Sequence, residues 1–174
     1  DVGGVRINIT DAAEVMVAFR SIVAAAKSAR PNARIRGVTV ESMARLTGAR
    51  ELVVGASHDE VFGPTILFGA GGTMVEVLQD SAVALPPLNS VLANRLVDRT
   101  KVSKLLAAFR DREAVDREAV IDVLMRISDM VCELPQVIEL DINPLFAGPN
   151  GVLAVDARVK VARPPARDGR YDHV

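Results

Sequence analysis

The residues best suited to chemistry are three oxygen-bearing side chains at alternate positions: Glu139, Asp141 and Asn143. The residues between them are leucine and isoleucine. Because successive side chains of a strand point to opposite faces, a strand over residues 137–143 places the three polar groups on one face. Carboxylate and amide oxygens are the ligands that hard cations such as Mg²⁺ prefer.

A second strand, predicted over residues 152–157, follows the turn Gly148–Gly151. If the turn is centred on its Pro-Asn pair, Asn143 lies opposite Asp156, with Cβ atoms about 4.5–5.5 Å apart. One Mg²⁺ ion could then bind both side chains, with water and phosphate oxygens completing its octahedron. A turn centred on the Asn-Gly pair would instead place Asp156 opposite Leu145. The alternative to a metal site is the solvated face of an edge hairpin.

The second candidate site runs from Phe62-Gly63-Pro64 to Thr73 and includes a glycine-rich segment, Phe68–Gly72. Glycines let a backbone approach an anion and direct successive N–H groups at it. The segment matches neither a Walker loop nor the dinucleotide fingerprint, and a tight turn between strands is the alternative. Glu76 and Asp80 follow it, where they either face a metal or phosphate site or are solvated.

The third candidate is the strand-like run Val38–Met43, followed by Glu51–Gly55. A strand that leaves one lobe and enters another could offer backbone groups to an adenine, although the same pattern fits two ordinary strands. Cys132, beside Val131, is predicted to pack in the core. No arrangement of Ser, His, Asp or Cys indicates a nucleophilic triad.

The composition excludes several classes of function. The 174 residues carry 21 Lys and Arg against 22 Asp and Glu, a net charge of −1, so no attraction to nucleic acid or to a membrane surface is expected. Aromatic residues make up 3% and hydrophobic residues 49%, which argues against base stacking and for a packed core. With no apolar span and no signal peptide, we expect a soluble cytoplasmic piece of a larger protein.

Hydrophobic periodicity predicts a mixed sheet with helices packed on it. Helices are predicted to begin at Asp11, Thr100 and Asp116, and the first to end before Pro31. Strands are predicted over residues 5–9, 35–43, 52–56, 64–68, 75–78, 137–143 and 152–157.

Together these motifs resemble the ATP-grasp region of NDP-forming acyl-CoA synthetases, the ADP-forming acetate–CoA ligase family. The similar segments are Asp1–Val5, Glu51–Gly55, Phe62–Pro64, Phe68–Gly72, Glu76, Glu139–Leu145 and Val155–Arg158. The resemblance implies an α/β (mixed α+β) fold of the ATP-grasp type. It implies a remnant of the N-terminal lobe over residues 1–36, the C-terminal lobe over 37–162, and a polar tail or linker over 163–174.

The resemblance also implies the ligands and the roles of the residues. ATP or ADP would bind with Mg²⁺, and the acyl-CoA would form through acyl-phosphate and phosphohistidine intermediates. Asn143 and Asp156 match the metal ligands, and Asp141 and Glu76 match catalytic residues, Asp141 steadying the phosphohistidine. The implied nucleotide-binding residues are Val40, Glu41, Met43, Glu51, Gly71 and Gly72.

The resemblance implies partners as well. CoA and the carboxylic acid would bind to synthetase domains outside this chain, so the chain by itself is expected to be inactive. Leu85–Asn89, Arg99–Val102 and Arg170–His173 look more like a branch fused to a GNAT protein lysine acetyltransferase. The alternative function is therefore a catalytically silent regulatory domain that senses nucleotide or acyl-CoA, and a purely structural lobe is a third.

Overall fold

A computed structural model describes residues 2–44, 48–72, 79–108 and 112–162. It divides the chain into two compact units, residues 1–45 and 46–174. The predicted strand 75–78, Glu76 and the predicted tail 163–174 lie outside the described residues.

The first unit contains one long helix, α1 (Ala12–Ala29). Asp11 caps it, accepting the backbone N–H of Glu14 at 2.8 Å, and the Glu14 carboxylate in turn accepts the N–H of Thr10 at 2.7 Å. This reciprocal arrangement satisfies donors that an α-helix leaves free at its start. The helix ends two residues before Pro31, so both of its predicted limits are confirmed.

The two strands predicted in this unit, residues 5–9 and 35–43, are wrong. Neither segment forms a strand, and Val5, Ile7 and Val40 expose 67–75% of their surface. An alternating pattern becomes a strand only where a neighbour supplies a backbone ladder. No strand in the described part of the chain pairs with either segment.

The second unit is built on a six-stranded antiparallel sheet in the order β3-β2-β1-β4-β5, with β6 also paired to β4. Its strands are β1 (Arg50–Asp59), β2 (Gly63–Ala70), β3 (Ser81–Ala84), β4 (Val137–Gly148), β5 (Gly151–Ala154) and β6 (Ala157–Val161). The predicted strands at 52–56, 64–68 and 137–143 lie inside β1, β2 and β4. The segment predicted as one strand over 152–157 is divided between β5 and β6.

In the described part of this unit three helices accompany the sheet: α2 (Ser90–Asp98), α3 (Ser103–Leu106) and α4 (Arg117–Glu133). Asp116 caps α4 as predicted, accepting the N–H of Ala119 at 3.0 Å. The helix expected to start at Thr100 is only the single turn α3, and the Thr100 hydroxyl donates to the carbonyl of Val97 instead. Sequence analysis missed α2, although Asn89 precedes it and caps it by accepting the N–H of Leu92.

The core lies between α2, α4 and one face of the sheet. It contains Leu52, Val54, Ile66, Phe68, Leu96, Leu124, Ile127, Leu140 and Leu145. Burying each large side chain stabilises the fold by about 1.5–3 kcal/mol.

Cys132 is exposed rather than packed in this core, because it lies off the buried stripe of α4 that includes Val131. None of the helices in the described ranges is both long and apolar enough to cross a bilayer.

The sheet presents its other face away from this core, and we call it the polar face. Its polar residues are Ser57, Thr65, Glu139, Asp141, Arg158 and Lys160. The packing of the core therefore fixes which side chains of β1, β4 and β6 remain available for chemistry.

Candidate functional site

An irregularity in β4 shapes the middle of the polar face. Leu52 of β1 lies opposite Leu145, yet Val54 lies opposite Ile142, so two residues of β4 face the single residue between them. The two residues are Asn143 and the proline after it, which are joined by a cis peptide bond. A bulge of this kind shifts the alternation of a strand by one residue. Leu145 therefore returns to the core although Asn143 does not.

The predicted register of the ribbon after this bulge is confirmed. Ile142 pairs with Ala157 and Leu145 pairs with Ala154, which leaves Asn143 opposite Asp156. The Asn143 N–H donates to the Asp156 carbonyl with an N···O distance of 3.2 Å. The turn is thus centred on its Pro-Asn pair, and the alternative register is wrong.

The Asn143 side chain connects this ribbon with the glycine-rich segment. Its Oδ1 accepts the backbone N–H of Gly72 at 3.0 Å, and the N–H of Gly71 donates to the carbonyl of Glu51 at 2.8 Å. Gly72 also has a φ of +66°, a conformation that favours glycine, and a side chain there would collide with the Glu51 carboxylate. The structure therefore brings together four residues predicted separately: Glu51, Gly71, Gly72 and Asn143.

The Asp156 carboxylate is only loosely held. It forms an ion pair with the guanidinium of Arg158 at 3.5 Å, and the Asp156 and Arg158 side chains are 54% and 80% exposed. An exposed ion pair of this kind contributes about 1 kcal/mol or less. Asp156 can therefore exchange its partner for a bound cation at little cost.

Asp141 occupies the adjacent row of the polar face. It lies opposite Gly55 on β1 and opposite Arg158 on β6, and its side chain is half-buried. Within the described ranges, its carboxylate accepts no hydrogen bond and forms no ion pair. Glu139, one row further, faces Lys160 at 3.8 Å.

Four further predicted residues have other surroundings within their own units. Val40, Glu41 and Met43 belong to the first unit and are exposed. The two carboxylate oxygens of Asp80 accept the N–H groups of Lys101 and Val102 at 2.7 and 2.6 Å. It fixes the loop that leads into α3. No sequence signal indicated this contact across more than 20 residues.

The oxygen atoms of Asn143 and Asp156 are typical of a site in which the protein supplies only some of the ligands of a cation and a bound substrate supplies others. No group of three or more His, Cys, Asp or Glu residues that could enclose a metal occurs in the described ranges. One amide oxygen and one carboxylate lie opposite one another instead. Mg²⁺ commonly takes one or two protein oxygens and completes its shell with water and substrate phosphates.

A family model described as an ATP-grasp domain matches residues 1–161. The chain therefore belongs to the ATP-grasp domain family.

Two curated relatives specify the class further. The chain is 38% identical over 159 residues to the acetate–CoA ligase (ADP-forming) I subunit beta of Pyrococcus furiosus, which covers 91% of this chain and 68% of that subunit. It is 36% identical over 159 residues to acetate–CoA ligase (ADP-forming) I of Archaeoglobus fulgidus, covering 91% of this chain and 23% of that protein. The chain thus spans about two thirds of the Pyrococcus subunit and about a quarter of the Archaeoglobus ligase.

Solved structures agree with these relatives. The dinucleotide-forming acetyl-coenzyme A synthetase 1 of Ca. Korarchaeum cryptofilum, in complex with coenzyme A, Ca-AMPCP and HgCl⁺, has a TM-score of 0.85 and 38% identity, and the match covers 92% of this chain and 69% of that one. Another structure of the same synthetase, with coenzyme A and Mg-AMPPCP, has a TM-score of 0.79 and 35% identity over 92% and 69% of the two chains.

The predicted fold and family are confirmed by these matches. The mixed α/β fold is of the ATP-grasp type, and the resemblance to ADP-forming acyl-CoA synthetases holds. The alternative, a regulatory lobe of a GNAT acetyltransferase, has no support from these relatives, which are CoA ligases and synthetases.

Proposed function

We propose that the chain is the nucleotide-binding lobe of an ADP-forming acyl-CoA synthetase. The complete enzyme would convert a carboxylic acid, CoA and ATP into acyl-CoA, ADP and phosphate. The observation that carries the proposal is the register that sets Asn143 opposite Asp156 beside Gly72. The similarity to acetate–CoA ligases supports the same reaction class.

Mg²⁺ fits the two donors. Asn143 Oδ1 uses one lone pair for the Gly72 N–H, which leaves a second lone pair for a cation. Asp156 supplies one negative charge, so the site needs further anionic ligands, and the phosphates of ATP provide them. When bound, the cation would neutralise phosphate charge and align the transferring group.

The chain's other residues would orient the substrates. The glycine-rich segment would lie beside the phosphates with Glu51, holding Asn143 in place through the Gly72 N–H, because the N–H groups of Gly71 and Gly72 already have acceptors within the chain. Asp141 holds an imidazole of the phosphorylated segment, and Glu76 assists it. The backbone at Val40, Glu41 and Met43 binds the adenine.

The partners follow from the reaction class. CoA and the acid would bind to the remaining synthetase domains, as the similarity to ligases of which this chain spans only a part supports. A cytoplasmic location is part of the proposal, because ATP and CoA are both available there. Fusion to an acetyltransferase stays a prediction without support from the relatives.

The test is ADP formation by this chain together with the remaining ligase domains, supplied with MgATP, CoA and acetate or propionate. We expect Asn143→Ala and Asp156→Ala to abolish turnover. Asp122→Ala is the matched control, because Asp122 is also an exposed, ion-paired aspartate but lies on α4. Turnover that survives both site substitutions contradicts the proposal. An absence of turnover with a nucleotide-dependent change in lysine acetylation would favour the regulatory alternative.

A further inference from the structure

Arg158 is a charged residue of the polar face to which the proposed function gives no role. It lies opposite Asp141 in the pairing of β6 with β4. Its guanidinium is 3.5 Å from the carboxylate of Asp156, the residue that lies opposite Asn143. Arg158 therefore adjoins the proposed cation site.

The Arg158 guanidinium is weakly held by the protein. Its ion pair with Asp156 is longer than the roughly 2.7–2.9 Å of a strong charge-assisted hydrogen bond, and its side chain is 80% exposed. In the described ranges this guanidinium forms no hydrogen bond. On α4, by contrast, Arg126 donates to Asp122 at 2.7 Å. Most of the N–H donors of Arg158 therefore remain available to a ligand.

The direction of the Arg158 side chain favours one kind of ligand. Directly opposed residues of a sheet have Cβ atoms about 4.5–5.5 Å apart, so the Asp141 carboxylate is within reach of the guanidinium. Asp141 nevertheless forms no ion pair in the described part of the chain, and the guanidinium pairs with Asp156 on its own segment instead. The positive charge is thus directed towards Asn143 and Asp156, where the phosphates of a nucleotide would complete the shell of the cation.

A cation bound to Asp156 would remove the present partner of Arg158. The cation would use the carboxylate oxygens and repel the guanidinium, because both are positive. The phosphates of the nucleotide would then be close, and the negative charges of Asp141 and Asp156 would repel them. A planar guanidinium binds phosphate oxygens through two parallel N–H groups, so Arg158 is suited to offset this repulsion.

We propose that Arg158 is a phosphate-binding residue, which exchanges Asp156 for a phosphate oxygen of the Mg²⁺–nucleotide complex. The inference rests on the proposed function, because it requires a nucleotide at this site. It gives Arg158 two opposite effects. Without nucleotide, Arg158 competes with a cation for Asp156. With nucleotide, it strengthens the binding of the cation and the phosphates together.

The experiment measures these two effects separately, using this chain together with the remaining ligase domains. Calorimetry gives the dissociation constants of Mn²⁺ alone and of the Mg²⁺ complex of a non-hydrolysable ATP analogue, for the wild type, Arg158→Gln and Arg158→Lys. Arg126→Gln is the matched control, because Arg126 is also an exposed arginine paired with an aspartate but lies on α4. Lys160→Gln removes a positive charge two residues away on the same strand.

We expect Arg158→Gln to bind Mn²⁺ alone about two- to fivefold more tightly than the wild type, because a competing exposed ion pair is lost. It should bind the Mg²⁺–analogue complex at least about tenfold more weakly. Arg158→Lys should bind this complex with intermediate affinity, because lysine keeps the charge but not the planar fork. Arg126→Gln and Lys160→Gln should stay within about twofold of the wild type for both ligands, because exposed charges at a distance are screened.

Two results would overturn the inference. One is an affinity of Arg158→Gln for the Mg²⁺–analogue complex that equals or exceeds that of the wild type, because Arg158 would then only compete for Asp156. The other is an equal loss of affinity in Lys160→Gln, which would indicate a general effect of positive charge rather than a contact with phosphate. A wild-type protein that does not bind the Mg²⁺–analogue complex would instead overturn the proposed function.

Discussion

Asn143 and Asp156 should respond differently to the same substitution, although both are proposed to bind one cation. Asn143→Ala removes the acceptor of the Gly72 N–H, a partly buried hydrogen bond of 3.0 Å. Such a loss costs about 0.5–1.5 kcal/mol, and up to about 3 kcal/mol if the donor stays dry. Asp156→Ala removes only the exposed 3.5 Å pair with Arg158, worth about 1 kcal/mol or less.

Unfolding of the two variants without nucleotide measures this difference. A loss of about 1 kcal/mol corresponds to about 3–5 °C in a domain of this size. We expect Asn143→Ala to unfold at a lower temperature and a lower urea concentration, and Asp156→Ala to unfold close to wild type. Asp122→Ala, which removes an exposed ion pair on α4, provides the baseline.

Nucleotide binding should remove the asymmetry. Removing a group that only supports a metal ligand typically weakens metal affinity about 10–100-fold. The loss of Asn143 or Asp156, each proposed to be a direct ligand, should therefore weaken MgATP binding by at least about tenfold. Calorimetric titration with the complete ligase checks this result. Equal destabilisation of both variants with unchanged MgATP affinity would refute the reasoning, because it would make the two residues structural only.

Three other predictions concern the scaffold. Ser128→Ala should lower the free energy of unfolding by about 1–3 kcal/mol in urea titrations, because the buried Ser128 hydroxyl accepts the Leu88 N–H at 2.7 Å; an unchanged midpoint contradicts this. Asp80→Ala should speed amide hydrogen exchange at Lys101 and Val102, just before α3, because it removes the acceptor of both N–H groups, and unaltered exchange at these two amides would contradict this. The β1–β2 hairpin should loosen below about pH 4, because two tip N–H groups donate to Asp59 and hold its pKa below the ordinary value. The stabilisation by these two hydrogen bonds is present above the pKa that Asp59 has in the unfolded chain, and it is lost as the pH falls through the lower pKa of the folded state. An NMR titration that gives an ordinary pKa for Asp59 would contradict this prediction.

The register of the β4 ribbon could be predicted because a short turn fixes it. Once the Pro-Asn pair is placed at the centre of Gly148–Gly151, each opposed pair follows by counting, and Asn143 faces Asp156. The cap of α4 at Asp116 is equally local. Both predictions depend on residues that are neighbours in sequence or joined by one tight turn.

Contacts between distant segments could not be read in the same way. Asn143 and Gly72 are 71 residues apart, and no pattern in either segment indicates their hydrogen bond. Residues 5–9 alternate as strands do and residues 35–43 form a strand-like run, yet a strand exists only where a partner pairs with it. Gly55, Gly69 and Gly71 look alike in sequence, and only the neighbouring backbone distinguishes them.

The position of the cation tests the central claim most directly. The measurement is a crystal structure of the complete ligase with Mg²⁺ and a non-hydrolysable ATP analogue. We predict one Mg²⁺ ion at about 2.0–2.2 Å from Asn143 Oδ1 and from an Asp156 carboxylate oxygen, with analogue phosphates completing its shell. A nucleotide-bound ion that contacts neither side chain, while Asp156 stays paired with Arg158, would contradict the account.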